Sequence, residues 1–96
     1  MIVILSFRDK RTARFANGGF VPEFQGIEGQ AERRLAILNA APSLSVLQAL
    51  PSNRLEALRG DRLGFYSIRI NRRWRICFIW PEGQTGPSEV EIVDYH

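Results

Sequence analysis

At 96 residues, with 45% hydrophobic and 24% charged residues, the chain is expected to form one domain over 1–96 with a modest core, not a disordered or fibrous polymer. No stretch approaches the roughly 18 consecutive apolar residues of a membrane span, and the single Cys77 excludes an internal disulfide framework and fits a reducing cytoplasm. The net charge is only +3, but twelve of the thirteen basic residues are Arg, and seven (Arg54, Arg59, Arg62, Arg69, Arg72, Arg73, Arg75) lie between residues 54 and 75 against only Glu56 and Asp61, which is either a solvated basic face or the footprint of a site for nucleic acid.

The opening "MIVILSF" is apolar, short and followed directly by "RDKR". It reads as a buried first strand and not as a signal peptide. "RDKRTARFANGG" suits a short helix with Asp9 in its first turn, Phe15 on the core side and Gly18-Gly19 as its stop. "FVPEFQG" reads as loop. The clearest helix spans about Ile27 to Ala41, where Ile27, Ala31, Leu35 and Leu38 share one face and Pro42 ends it. "SLSVLQALPSNRLEAL" suits a short helical turn followed by an extended edge segment. After the turn "RGDRLG" come three strands, "FYSIRI", "WRICFIW" and "VEIVDY". The order predicts an α+β sandwich, with two N-terminal helices packed on one face of a small antiparallel sheet.

Alternation makes the sheet readable. Tyr66, Ile68 and Ile70 share a face, as do Trp74, Ile76, Phe78 and Trp80, so these sets should form the core face. That requires Ile70 opposite Trp74, Ile68 opposite Ile76 and Tyr66 opposite Phe78, with Asn71-Arg72-Arg73 as the loop. The loop suits Asn71, which tolerates left-handed backbone. On the other face the same register sets Arg69 opposite Arg75, a like-charge pair that is unfavourable by a few tenths to about 1 kcal/mol. An anion held between the two would justify it. In the last strand Val90 and Ile92 should face the core. Val90 near Trp80 and Ile92 near Phe78 would bring Tyr95 beside Arg75 and make one row of Arg69, Arg75 and Tyr95, although the long 81–89 connection leaves room for a slip of two residues. Cys77 lies in an apolar run without the partners of a thiol nucleophile, and reads as inert.

The stretch "LEALRGDRLGFYSIRINRRWRICFIW", followed by "VEIVDYH", closely resembles the HigB branch of the RelE/ParE toxin superfamily, the plasmid maintenance killer proteins. The resemblance implies a RelE-like fold and a metal-independent RNase that enters the ribosomal A site and cuts bound mRNA. It also implies restraint by a cognate helix-turn-helix antitoxin of HigA type. Residue by residue, Arg75 matches the strand arginine that contacts the scissile phosphate. Asp94, Tyr95 and His96 match the terminal catalytic group, and Arg59 matches a basic position that contacts RNA. Arg62, Arg69 and Arg73 are the neighbouring cations expected to help hold the strand. The chain departs from the pattern at Glu56, where some members carry a catalytic His in an L-H-P-L-K-G-D stretch.

Such chemistry needs a base for the ribose 2′-OH, an acid for the 5′-oxygen and cations for the crowded phosphate. His96 is the only His, and imidazole, with an unperturbed pKa of about 6.5, is the natural proton carrier near neutral pH. Glu56 is its candidate partner, and Tyr95 could orient the sugar. Placed last, His96 could enter a cleft without a following chain in the way. Two other functions share these residues: a ParE-like gyrase inhibitor without RNase activity, and a catalytically weak module that only binds partners.

Overall fold

The computed structural model describes residues 3–94. Its helices are α1 (Lys10–Ala16), α2 (Glu28–Ala40) and α3 (Leu44–Ala49), and its strands are β1 (Glu56–Ala57), β2 (Phe65–Arg69), β3 (Trp74–Ile79) and β4 (Ser88–Asp94). The strands form one antiparallel sheet in the order β1-β2-β3-β4. The α+β arrangement is as expected from the sequence, with the ambiguous 43–58 stretch resolved into a third short helix and the edge strand β1.

The core forms where the periodicities place it. Ile68, Ile70, Ile76, Phe78, Val90 and Ile92 of the sheet region pack with Phe15 of α1, Ala31, Leu35 and Leu38 of α2, and Leu47 of α3. Each fully buried large apolar side chain contributes about 1.5–3 kcal/mol. The α1 layer is also tied to the sheet by a polar bond, since the buried Thr12 Oγ1 accepts from the backbone N–H of Ile92 at 3.0 Å. Ser43 caps α3, with its Oγ accepting from the N–H of Val46 at 3.4 Å.

The β2–β3 register is the expected one, with Tyr66 opposite Phe78, Ile68 opposite Ile76 and Arg69 opposite Arg75. Asn71 stabilises the hairpin by a route other than left-handed backbone. Its Oδ1 accepts from the N–H groups of both Arg73 and Trp74, each at 2.9 Å.

Three expectations are corrected. The opening segment forms no regular strand among the described residues. It runs parallel to β4 through a single bridge, Phe7 to Val90, while the N–H groups of Val3 and Ile4 donate to Asn39 Oδ1 of α2. The chain after β3 returns tightly over this segment at Gly86, where a Cβ would fall 1.7 Å from the Val3 carbonyl oxygen. The "FVPEFQG" stretch is not a passive loop, because its 3₁₀ turn Pro22–Phe24 drives Phe24 wholly into the core.

The third correction concerns β4, which is displaced by two residues from the expected pairing. Ile92 lies opposite Ile76 and Val93 opposite Arg75. The strand also carries a one-residue bulge: between the pairs Cys77–Glu91 and Ile79–Ser88, β4 advances three residues while β3 advances two. Glu89 sits in it at φ 53°, its N–H donating to Ser6 Oγ at 3.0 Å.

Candidate functional site

The face of the sheet away from the helices is partly roofed over. Ser67, Arg75 and Cys77 are buried there, and Leu58, which follows β1, is buried outside the main core cluster. Across this face one ladder row reads Glu56, Ser67, Cys77, Glu91, and the next reads Arg69, Arg75, Val93. Strand pairing therefore brings Arg75 beside Glu56 although 19 positions separate them in the sequence. Arg75 Nη2 lies 3.3 Å from Glu56 Oε1, with side-chain exposures of 8% and 55%. Arg75 also donates from Nε to Ser67 Oγ at 2.7 Å, and from Nη2 to the backbone carbonyls of Ser67 and Arg54.

No anion is needed to separate the two facing arginines. Arg75 leans across β2 towards β1, whereas Arg69 turns the other way and donates from Nε to the Asn71 carbonyl at 3.1 Å. The like-charge cost is relieved by divergence and by the Glu56 carboxylate.

Asp94 is brought to a different partner. It lies opposite Trp74 and, by alternation, on the side of Ile92. Its carboxylate accepts from Arg73 Nε at 2.9 Å and from Nη2 at 2.6 Å. That hydrogen bonding, and secondarily the carboxylate charge, push the Arg73 guanidinium above its ordinary value. The exposed pair ties the β2–β3 loop to the end of β4. The expected row of Arg69, Arg75 and Tyr95 is corrected in its third member, since Val93 takes the place opposite Arg75, while Tyr95 and His96 themselves lie outside the described residues.

Of the remaining candidate cations, Arg59 is exposed just before the 3₁₀ turn Gly60–Arg62. Arg62 is not an open arm. Its guanidinium lies 4.6 Å from the centre of the Phe65 ring and 3.5 Å from Glu91 Oε1, and Arg8 also approaches the same ring and the same carboxylate. This clamp closes the 60–62 turn onto the sheet. Glu91, which the strand alternation offers as an ion-pair partner for Arg75, pairs instead with Arg62 and Arg8, and Ser67 is the participant that sequence reading passed over. Ser67 could have been found, since the correct β2–β3 register already placed its hydroxyl on the Arg75 face.

With this geometry in hand, the comparison with known families is decisive: the model described as RelE-like toxin of type II toxin-antitoxin system HigB matches residues 5–96. The chain belongs to the HigB-like toxin family. Toxin HigB-1 of Vibrio cholerae serotype O1 is 37% identical over 83 residues, covering 82% of this chain and 85% of that protein. Among solved structures, the YoeB/ParE toxin from Agrobacterium tumefaciens superposes with a TM-score of 0.53 over 97% of this chain and 96% of its own, and at 15% identity it supports the fold alone. The protein is thus the toxin of a type II toxin-antitoxin system, and an antitoxin partner follows from that. No helix among the described residues of the toxin is long and apolar enough to cross a membrane.

The toxin's one thiol lies beneath the clamp. Burial pushes Cys77 above its ordinary value, with the Arg62, Arg75 and Arg8 charges opposing and Glu91 adding to the rise. A thiol raised in the folded state favours the protonated native form. Its contribution to stability is therefore fully present below the ordinary value of about 8.5 and is lost as pH rises through the higher folded value. Iodoacetamide at pH 8 is expected to label the native toxin far more slowly than the urea-unfolded chain, as read by intact mass. Equal rates would show that the clamp opens freely.

Proposed function

We propose that the toxin is a ribosome-dependent mRNA endonuclease that works by 2′-OH attack. The observation that carries this reading is Arg75, a cation held by hydrogen bonds on the roofed face of the sheet, with the half-exposed Glu56 carboxylate 3.3 Å away. The ribose 2′-oxygen attacks the adjacent phosphorus as a base takes its proton. The P–O5′ bond breaks as an acid protonates the leaving oxygen. Negative charge accumulates on the non-bridging oxygens, and a guanidinium at that point stabilises the transition state more than the ground state. Arg75 takes this role. His96 and Glu56 divide the base and acid work, and Tyr95 orients the sugar. Asp94 acts indirectly, by fixing the end of β4 through Arg73.

Few cations remain to hold a strand unaided. Arg62 and Arg73 are paired with carboxylates, leaving Arg54, Arg59, Arg69 and Arg72 as the candidates for phosphate contacts beside Arg75 in the 54–75 block. A site making so few phosphate contacts binds RNA weakly at physiological salt, so the ribosome supplies the positioning. Cleavage in the cytoplasm and restraint by a helix-turn-helix antitoxin of HigA type belong to the same reading. With purified toxin at one concentration, mRNA bound to programmed ribosomes is expected to be cut and the same RNA without ribosomes left intact. Equal cutting of both would contradict ribosome dependence. Inhibition of gyrase with no cutting of either would replace the reading altogether.

A further inference from the structure

We propose that Ser67 is a positioning residue for Arg75, holding the guanidinium in the plane in which it meets the scissile phosphate. This rests on the role given to Arg75 above. Ser67 is wholly buried, midway across the ladder between Glu56 and Cys77. A central strand site of this kind favours β-branched or aromatic side chains, and a buried hydroxyl is unfavourable unless hydrogen-bonded. The Ser67 hydroxyl is bonded, and to one group: its Oγ accepts from Arg75 Nε at 2.7 Å. The Ser67 carbonyl accepts from Nη2 of the same guanidinium at 3.3 Å, and the Arg54 carbonyl accepts from that Nη2 as well. A single hydrogen bond would locate the head group but leave it free to rotate. Acceptors on two nitrogens along one edge of a planar fork determine its orientation too.

The Arg54 acceptor is itself delivered at a cost. Arg54 adopts left-handed backbone, φ 46° and ψ 53°, which a side-chain-bearing residue takes up only where its surroundings impose it. The preceding Asn53 provides that constraint. It is wholly buried, its Oδ1 accepts from Arg34 Nη1 of α2 at 2.8 Å, and its Nδ2 donates to the Leu47 carbonyl of α3 at 3.0 Å. The helical layer thus reaches the guanidinium through Asn53 and the Arg54 backbone, while Ser67 reaches it from the sheet. If Ser67 merely filled space, Ala would serve as well, and none of these acceptors would need to converge on Arg75.

The test is single-turnover cleavage on programmed ribosomes, with melting temperatures for every variant and NMR of the Arg75 Nε–H exchange rate. Ser67→Ala is expected to lower the rate constant at saturating ribosomes by about ten- to a hundredfold, with half-saturation moved by no more than about twofold. It should also release the Arg75 Nε–H to fast exchange. Ser67→Thr, which restores the hydroxyl, should recover most of the rate. In an Arg75→Ala background, Ser67→Ala should add almost nothing, because its effect runs through Arg75. A full rate in Ser67→Ala overturns the assignment, as does an equal loss in both backgrounds. A full rate in Arg75→Ala alone would instead overturn the role of Arg75. The exchange measurement would then still report separately whether Ser67 holds the guanidinium.

Discussion

Arg75→Ala is expected to lower mRNA cleavage on programmed ribosomes by on the order of a hundredfold or more, the usual loss when one aimed donor to transition-state charge is removed. The structure explains why no neighbour compensates. Arg69, although opposite on the ladder, is turned towards the Asn71 carbonyl, and Arg73 is engaged by Asp94. The fold should survive. Losing Arg75 leaves the buried Ser67 hydroxyl without its donor, a cost of about 1–3 kcal/mol. Losing the Glu56 ion pair adds little, because that carboxylate is 55% exposed and water replaces its partner. Arg75→Lys keeps the charge without the planar fork and should recover only part of the rate. Rates must be read well below each variant's melting temperature. A full rate in Arg75→Ala would move the phosphate contact to another cation. In the same assay His96→Ala is expected to lose about 10²–10⁴-fold, the range of general acid–base catalysis. If it does not, the proton work falls to Glu56 and Tyr95.

Phe24→Ala is expected to cost about 3–5 kcal/mol of stability. Against a typical total of about 5–15 kcal/mol, that is enough to bring the protein close to unfolding at growth temperature. Phe24 is wholly buried, and packs edge-on against Phe15 at 5.5 Å and Trp74 at 5.7 Å between ring centres. The Arg11 guanidinium lies 5.2 Å from the centre of the same ring. One short 3₁₀ turn thereby bridges α1 and the start of β3, and no smaller side chain reaches both. Phe20, four positions earlier in the same connection, is 63% exposed, and Phe20→Ala should change stability by no more than about 0.5 kcal/mol. Urea denaturation of the two variants side by side checks the contrast. Similar midpoints would mean that the connection does not anchor the core.

The contrast between Phe20 and Phe24 shows where local pattern stops being informative. Both lie in a Pro- and Gly-containing stretch with no helical or strand period, so nothing in their spacing says which one is inside. Only the docking of the 3₁₀ turn between α1 and the sheet decides it. The N-terminal segment is a similar case. Its apolar run correctly announces burial, but whether it becomes a strand depends on backbone partners. Here Leu5, Ser6 and Arg8 bond to the backbone of the 87–90 stretch, but the N–H groups of Val3 and Ile4 go to Asn39 of α2 instead of extending that pairing.

What the sequence determined by itself is what short-range chemistry controls. The face of α2, its end at Pro42, the two faces of β2 and β3, and the Arg69–Arg75 pairing all follow from periods of 3.6 and 2 and from a tight loop that leaves no freedom in register. The family was legible for the same reason, since its motif runs through this well-specified hairpin. The length of the 81–89 connection showed that β4 had room to slip by two residues, but not that it does so. A displacement by one residue would have turned Val90 and Ile92 to the wrong face, but a displacement by two keeps both inside and changes only which neighbours they meet. In that pairing the bulge at Glu89, bonded to Ser6 83 positions away, returns Val90 and Ile92 to the core face. The partners of the arginines were likewise decided in three dimensions. Formal charge placed seven cations in one block, but only side-chain direction assigned Arg75 to Glu56 and Ser67, Arg73 to Asp94 and Arg62 to Glu91. Those assignments depend on long-range strand pairing and on the left-handed backbone at Arg54, which no local propensity encodes.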